Sequence, residues 1–241
     1  MIETRGLTKL YRDLTAIEDV TFSVQKGEIV GFLGPNGAGK TTTMKILTGF
    51  MPPSRGIAKV AGFDVFEEPM EVKRRIGYMP EHPPIYPDLT VHEYLQFVGR
   101  LKELTGAKLK DSIAQVVDKV ELTPVIDRLI CNISKGYQQR TGLAQAMLGS
   151  PEVLILDEPT VGMDPGQIVR VRNIIKSLAG DHTVILSTHI LQEVTATCER
   201  VIIINNGRIV ADDNLETLVQ ASSKPGYPAS LEKVFLALTE V

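Results

Sequence analysis

The sequence predicts an α/β fold with a mostly parallel sheet, an N-terminal antiparallel β layer and an inserted α-helical subdomain. Short apolar runs at 29–33, 153–156 and 183–187 alternate with stretches of helical periodicity, the pattern of parallel strands joined by crossover helices. Ahead of them, Val20, Phe22 and Val24 alternate with Thr21 and Ser23, as in a strand with one buried face. From 88 to 148 the periodicity is mostly helical, an insertion between two α/β halves. The expected organisation is one domain of 241 residues, with 1–87 and 149–215 as the core and its β layer, 88–148 as the helical subdomain, and 216–241 as a short C-terminal tail.

Each element has its own signal. Residues 56–65 read as a short strand pair broken at Gly62-Phe63, which completes the antiparallel layer. The apolar strand 29–33 ends in a Gly-rich turn, and 41–47 follows as a helix closed by Gly49. Another strand begins at Ile76. Thr90-Val91-His92-Glu93 is a capping box, and behind it Tyr94, Leu95, Val98 and Leu101 share one helical face. Ile113, Val116, Val117 and Val120 repeat that spacing, and Thr123-Pro124 is expected to start a third helix. Residues 153–156 form a buried strand. Ile168, Val171, Ile174, Ile175 and Leu178 line a helix expected from Pro165 to Gly180, and 183–187 is the next strand. Asn206-Gly207 joins 201–204 to 209–211 as a hairpin. A Ser/Pro/Gly-rich loop, 222–228, precedes a last helix carrying Leu231, Val234, Phe235 and Leu238. No repeat of 20 to 50 residues is visible.

Composition excludes several classes. Hydrophobic residues are 43% and charged residues 23%, enough for a sizeable core. The net charge is -3 with no Lys/Arg run, which argues against a broad basic face for nucleic acid, and 5% aromatics with no Trp argue against base stacking. No apolar run approaches the roughly 18 to 20 residues of a membrane-spanning helix. Met1-Ile2-Glu3-Thr4-Arg5 has no secretory signal pattern. Cys131 and Cys198 are too few and too far apart for a disulfide framework or a zinc knuckle, so both are expected to be buried reduced thiols.

Gly34-Pro35-Asn36-Gly37-Ala38-Gly39-Lys40-Thr41 matches G-x-x-x-x-G-K-[ST] between a strand and a helix, the context a phosphate-binding loop requires. Its glycines let backbone amides converge on phosphate oxygens, and the helix N-terminus adds a positive dipole end. Lys40 is placed for the β- and γ-phosphates, Thr41 for Mg²⁺, and Thr42 for the α-phosphate. A second motif follows the strand 153–156: Asp157 and Glu158 stand at its carboxyl end, where open α/β sheets bind ligands. Asp157 suits the Mg²⁺ shell, and Glu158 suits a base that takes a proton from water attacking the γ-phosphate.

With these motifs in place, residues 1 to 215 resemble the ATP-binding subunits of ATP-binding-cassette (ABC) transporters. Ile133-Ser134-Lys135-Gly136-Tyr137-Gln138-Gln139-Arg140 resembles the family signature L-S-G-G-Q followed by Q-[KR], departing from it at Ile133, Lys135 and Tyr137. Without the resemblance, Ser134 reads as an N-cap serving its own helix. With it, two cassettes pair head to tail, and Ser134 and Gly136 close on the γ-phosphate of ATP held by the partner's phosphate loop. Asp164, in Gly162-Met163-Asp164-Pro165, resembles the D-loop across that interface. His189, in Ser187-Thr188-His189, resembles the switch histidine that contacts γ-phosphate and water. Tyr11 matches the aromatic that stacks on adenine; a strand-edge Tyr packed on its neighbours is the other reading. His82, His92 and His182 match no family position and are expected to be ordinary surface residues.

The largest departure is Glu81. In Ile76-Gly77-Tyr78-Met79-Pro80-Glu81 it stands where the family usually has a Gln that touches Mg²⁺ and senses the membrane partner. Glu81 is still an oxygen ligand for a hard cation, and its extra charge either strengthens metal binding or slows hydrolysis. Glu81, the signature and the tail Ser230-Leu231-Glu232-Lys233-Val234-Phe235-Leu236-Ala237-Leu238-Thr239 together resemble cassettes of multidrug-type and gliding-motility-type exporters. After Glu81, Pro83, Pro84, Ile85, Tyr86, Leu89, Tyr94 and Phe97 are either core of the helical subdomain or a cleft for a coupling helix of an integral membrane subunit. The resemblance therefore implies an ATPase using ATP and Mg²⁺, paired with a second cassette as a homodimer or heterodimer, on the cytoplasmic face of a membrane, driving transport, with export favoured. A soluble cassette acting in translation or at DNA ends is the alternative; such chains usually carry two cassettes or long coiled-coil insertions. A kinase would need an acceptor site in place of the signature and His189. The missing N-K-x-D element argues against a regulatory GTPase.

Overall fold

The computed structural model describes residues 1–221 and 230–239. Among them the strands are β1 (Ile2–Tyr11), β2 (Leu14–Val24), β3 (Ile29–Leu33), β4 (Arg55–Val60), β5 (Phe63–Asp64), β6 (Ile76–Met79), β7 (Val153–Asp157), β8 (Thr183–Thr188), β9 (Arg200–Asn205) and β10 (Arg208–Asn214). The helices are α1 (Lys40–Leu47), α2 (Pro69–Arg75), α3 (Val91–Leu101), α4 (Gly106–Lys119), α5 (Lys135–Met147), α6 (Pro165–Lys176), α7 (Leu191–Thr197), α8 (Leu215–Ala221) and α9 (Leu231–Thr239). An antiparallel sheet has the order β2-β1-β4-β5, and a six-stranded sheet has the order β10-β9-β3-β8-β7-β6. In the larger sheet β6, β7, β8, β3 and β9 run parallel, and only β10 is antiparallel to its neighbour.

The central strands of the larger sheet are covered on both faces, so β3, β7 and the middle of β8 and β9 are buried at every position, whereas the edge strand β10 alternates. Successive side chains point to opposite faces. Val30, Phe32, Val153, Ile155, Ile185, Ile202 and Ile204 pack with α1 and the small sheet. Ile29, Leu33, Leu154, Leu156, Val184, Leu186, Val201 and Ile203 form the other core with α3 to α7. Gly77 lets α5 lie close on β6, since a Cβ there would press onto the carbonyl of Ala146. The Asn206-Gly207 hairpin forms with φ values of 47° and 77°, the left-handed pair a two-residue turn requires.

Several expectations are corrected. Thr123-Pro124 opens only a single 3₁₀ turn, Thr123–Val125. The carbonyls of Ile126 and Arg128 accept from the amides of His92 and Val91, so the segment caps the first turn of α3 instead of continuing its own helix. Leu101 is 68% exposed; beside it Lys102 turns inward, donating to the carbonyls of Ala146 (3.0 Å) and Leu148 (2.9 Å). Cys131 is exposed, because it sits in a second 3₁₀ turn at the surface, whereas Cys198 is buried against β3. His182 is buried, its Nδ1 2.7 Å from the carbonyl of Pro151. The strand β1 and the helices α2, α7 and α8 are not foreseen in the sequence reading. The loop 222–228 lies outside the described residues. Among the described residues no helix is long and apolar enough to cross a membrane.

Candidate functional site

The turn after β3 carries the motif 34–41. A Cβ on Gly34 would press onto the carbonyl of Ile204, and one on Gly39 onto Ala16 and Ile17, so the loop is held between β9 and β2 where only glycine fits. Gly39, at φ 106°, delivers the chain into α1. The loop is tied down from two sides: Gly34 N–H donates to the Thr188 carbonyl (3.3 Å), and Gly207 N–H donates to the Ala38 carbonyl (3.0 Å). The Lys40 ammonium folds back onto the loop, donating to the carbonyls of Gly34 (2.8 Å) and Pro35 (3.2 Å), and lies 3.5 Å from Oε1 of Glu158. The first amides of α1 have no carbonyl ahead of them, so they are free for an anion.

The carboxylates stand at the end of β7. Asp157 is 1% exposed, and neither of its carboxylate oxygens has a hydrogen-bond partner. Burial raises its pKa, the nearby Ser187 and Thr41 hydroxyls oppose this, and the charges of Glu158 and Glu81 add to the rise. Two orphaned oxygens beside a hydroxyl suit a hard cation, which takes oxygen donors. No cluster of three or more His, Cys, Asp or Glu side chains forms a metal cage among the described residues. Glu158 adopts a left-handed backbone, φ 49°, rare outside glycine and concentrated at functional sites. Both of its carboxylate oxygens lie 2.9 Å from Nδ1 of His189. An ionised carboxylate only accepts, so Nδ1 carries the proton in this contact.

These groups open into a cavity of about 570 Å³. Of the sequence-predicted residues, Tyr11, Asn36, Gly37, Gly39, Lys40, Thr41, Thr42, Glu81, Glu158 and His189 line it. Gly34, Pro35, Ala38 and Asp157 are not among its lining residues. Tyr11 is 41% exposed, its hydroxyl 3.0 Å from Sδ of Met51 and its ring beneath the Lys9 ammonium. Leu14, Thr15, Ala16 and Val161 also line the cavity and went unread, because only the pairing of β1 with β2 brings residues 14–16 to the phosphate loop.

Ser134, Gly136 and Asp164 do not reach the cavity. Ser134 is the N-cap residue of α5, but its exposed hydroxyl makes no capping bond. A Cβ on Gly136 would meet the Gln167 side chain at 2.8 Å, so the start of α5 lies against the start of α6. Asp164 caps α6 by accepting from the Gln167 N–H at 3.1 Å. Arg140, 1% exposed, anchors α5: its Nη1 donates to the carbonyls of Val120 (3.1 Å) and Glu121 (3.0 Å) and to Oε2 of Glu121 (3.3 Å). α5 also grips the segment before Glu81, with Gln145 donating to the Tyr78 carbonyl (2.7 Å). In the stretch after Glu81 the apolar residues divide. Tyr94 is buried, whereas Tyr86 and Phe97 are exposed and meet edge to face, ring centres 5.5 Å apart.

A family model described as ABC transporter matches residues 17–161. A model described as AAA domain, putative AbiEii toxin, Type IV TA system, matches the shorter stretch 132–195. The ABC transporter ATP-binding protein NatA of Bacillus subtilis (strain 168) is 36% identical over 92% of this chain and 92% of its own length. The bacitracin transport ATP-binding protein BcrA of Bacillus licheniformis is 37% identical over 93% of this chain and 73% of its own. A solved structure of an ATP binding subunit of an ABC transporter matches with a TM-score of 0.87 and 31% identity, over 99% of both chains.

Proposed function

We infer the role of this chain from one premise: it belongs to the ABC transporter family, as an ATP-binding subunit and an ATPase. In our reading it binds MgATP in the cavity at the phosphate loop, pairs with a second cassette, and drives export through an integral membrane subunit at the cytoplasmic face of the membrane. The observation that carries this is the meeting of Lys40, His189 and Glu158 above the orphaned oxygens of Asp157. Adenine stacks on Tyr11. Asn36, Gly37, Gly39 and the first amides of α1 receive the phosphates, and the Lys40 ammonium exchanges its loop carbonyls for phosphate oxygens. Thr41, Asp157 and Glu81 hold Mg²⁺, which neutralises phosphate charge when bound. The water oxygen attacks the γ-phosphorus, Glu158 takes the water proton, and the bond to the bridging oxygen breaks to leave ADP and phosphate. His189 orients Glu158 and faces the γ-phosphate. The free hydroxyl of Ser134, with Gly136 and Asp164, completes the site of the partner cassette. Exposed Tyr86 and Phe97 offer an apolar surface to the membrane subunit. Export agrees with relatives named for bacitracin transport and for daunorubicin/doxorubicin resistance. The test is Glu158→Gln: ATP binding is retained, turnover is suppressed and a nucleotide-bound dimer accumulates, whereas hydrolysis at the native rate overturns the assigned base.

A further inference from the structure

Behind the pair formed by Glu158 and His189 lies a third acid that their chemistry does not use. Glu193, in the first turn of α7, is 1% exposed. Its Oε1 accepts from the Thr160 hydroxyl, in the turn that follows Asp157 and Glu158. Its Oε2 lies 2.6 Å from the hydroxyl oxygen of Thr188, the residue before His189. One side chain thus joins the segment carrying the candidate base to the segment carrying the candidate switch histidine.

Proton counting gives the joint a direction. The Thr188 oxygen has three polar neighbours: Oε2 of Glu193, Oε2 of Glu158 at 3.3 Å, and the amide of Ile190, which donates to it at 3.1 Å. Its single proton cannot serve two carboxylates. If both were ionised, one contact would set oxygen lone pairs against each other in a buried place. A proton on Oε2 of Glu193 removes the conflict: Glu193 donates to Thr188, and Thr188 donates to Glu158. Burial is the chief influence that raises the Glu193 pKa, the charge of Glu158 adds to it, and Thr188, Arg172 and His189 oppose it. Two neighbouring carboxyls whose surroundings separate them into a neutral acid and an ionised base is a recurrent arrangement at hydrolytic sites.

We propose that Glu193 is a positioning residue for ATP hydrolysis, clamping Thr160 and Thr188 together and turning the Thr188 hydroxyl toward Glu158, so that Glu158 and His189 stay face to face. The proposal rests on Glu158 being the base. A glutamine at 193 has the same polarity as the neutral acid, accepting from Thr160 and donating to Thr188. Methionine fills the volume with neither function, and aspartate is one methylene too short to span both.

The test is single-turnover ATP hydrolysis by the full chain with Mg²⁺, alongside binding of a fluorescent ATP analogue and the thermal midpoint. Glu193→Met lowers the hydrolysis rate about ten-fold, the effect of a disturbed proton acceptor rather than a lost one, while ATP affinity holds. Glu193→Gln restores most of that rate, and Glu193→Asp does not. Adding Thr188→Val to Glu193→Met costs less than the sum of the two single losses, since both remove the Glu193–Thr188 contact. The proposal is overturned if Glu193→Met hydrolyses at the native rate, if Glu193→Gln is as slow as Glu193→Met, or if rate, affinity and midpoint fall together. Glu158→Gln measured in parallel separates the two ideas. If it is inactive while Glu193→Met is unaffected, only the positioning role fails; if it hydrolyses normally, the assigned base fails and takes this role with it.

Discussion

The Nδ1 atom of His189 stands 2.9 Å from each carboxylate oxygen of Glu158, and the Lys40 ammonium approaches one of the same oxygens at 3.5 Å. The carboxylate is therefore fixed between the His189 imidazole and the Lys40 ammonium, on a backbone held in the left-handed region. His189→Ala removes one of the two constraints without touching the phosphate loop. It is expected to slow hydrolysis by about 10²-fold and to leave ATP affinity within a few-fold of native. Equal loss of both, by stopped-flow hydrolysis and equilibrium binding, would assign His189 to the fold.

Glu81 lines the cavity, and its charge helps to raise the pKa of Asp157, the other carboxylate proposed to hold Mg²⁺. Glu81→Gln keeps an oxygen ligand and deletes that charge. The Mg²⁺ concentration giving half-maximal ATPase rises several-fold, about 1 kcal/mol of lost attraction near the surface. An unchanged Mg²⁺ requirement would remove Glu81 from the metal shell.

Helix α5 is held by an unequal pair. Arg140 is almost fully buried, with two carbonyls and the Tyr137 ring as further partners, whereas Glu121 is half exposed and shared with Arg170. Arg140→Met strands the two carbonyls and is expected to destabilise the chain by about 2 kcal/mol. Glu121→Gln leaves the arginine its other partners and should cost less than about 1 kcal/mol. Urea unfolding midpoints check the order of the two effects.

Lys102 gives the fold an alkaline signature. Burial brings its pKa down to about 8, against about 10.4 for an unfolded chain. Between these values the unfolded chain holds a proton that the folded chain has released, so stability rises with pH there and this contribution is flat below pH 8. Lys102→Met abolishes that rise, seen as a difference in thermal midpoints between pH 7.5 and pH 10. Parallel curves for the two proteins would contradict it.

Contiguous motifs and strand runs were legible in the sequence, and pairing at a distance was not. The phosphate loop, Asp157 and Glu158 are contiguous motifs, and the strand runs are apolar throughout because both faces of the sheet are covered. Thr123-Pro124 misled because the carbonyls of Ile126 and Arg128 serve the start of α3, a bond no local window contains. Glu193 escaped notice for a related reason. In sequence it is one acid in the first turn of a helix, and only the fold brings it to Thr160 and Thr188. Ser134 shows the opposite case: its sequence reading as an N-cap holds for the backbone, but its side chain makes no capping bond.

We propose that the site is completed by a second cassette, here a second copy of this chain, because Lys40 lines the cavity and Ser134 lies outside it. Mixing two defective variants tests it directly. Lys40→Ala disables the phosphate loop, and Ser134→Arg disables the surface offered to the partner, so each variant alone has little ATPase activity. In a mixed pair both defects fall in one composite site, and the other has an intact Lys40 facing an intact Ser134. The account predicts that mixing recovers ATP hydrolysis that neither variant shows alone, greatest near equal amounts. Folded variants that give no recovery at any ratio would contradict it.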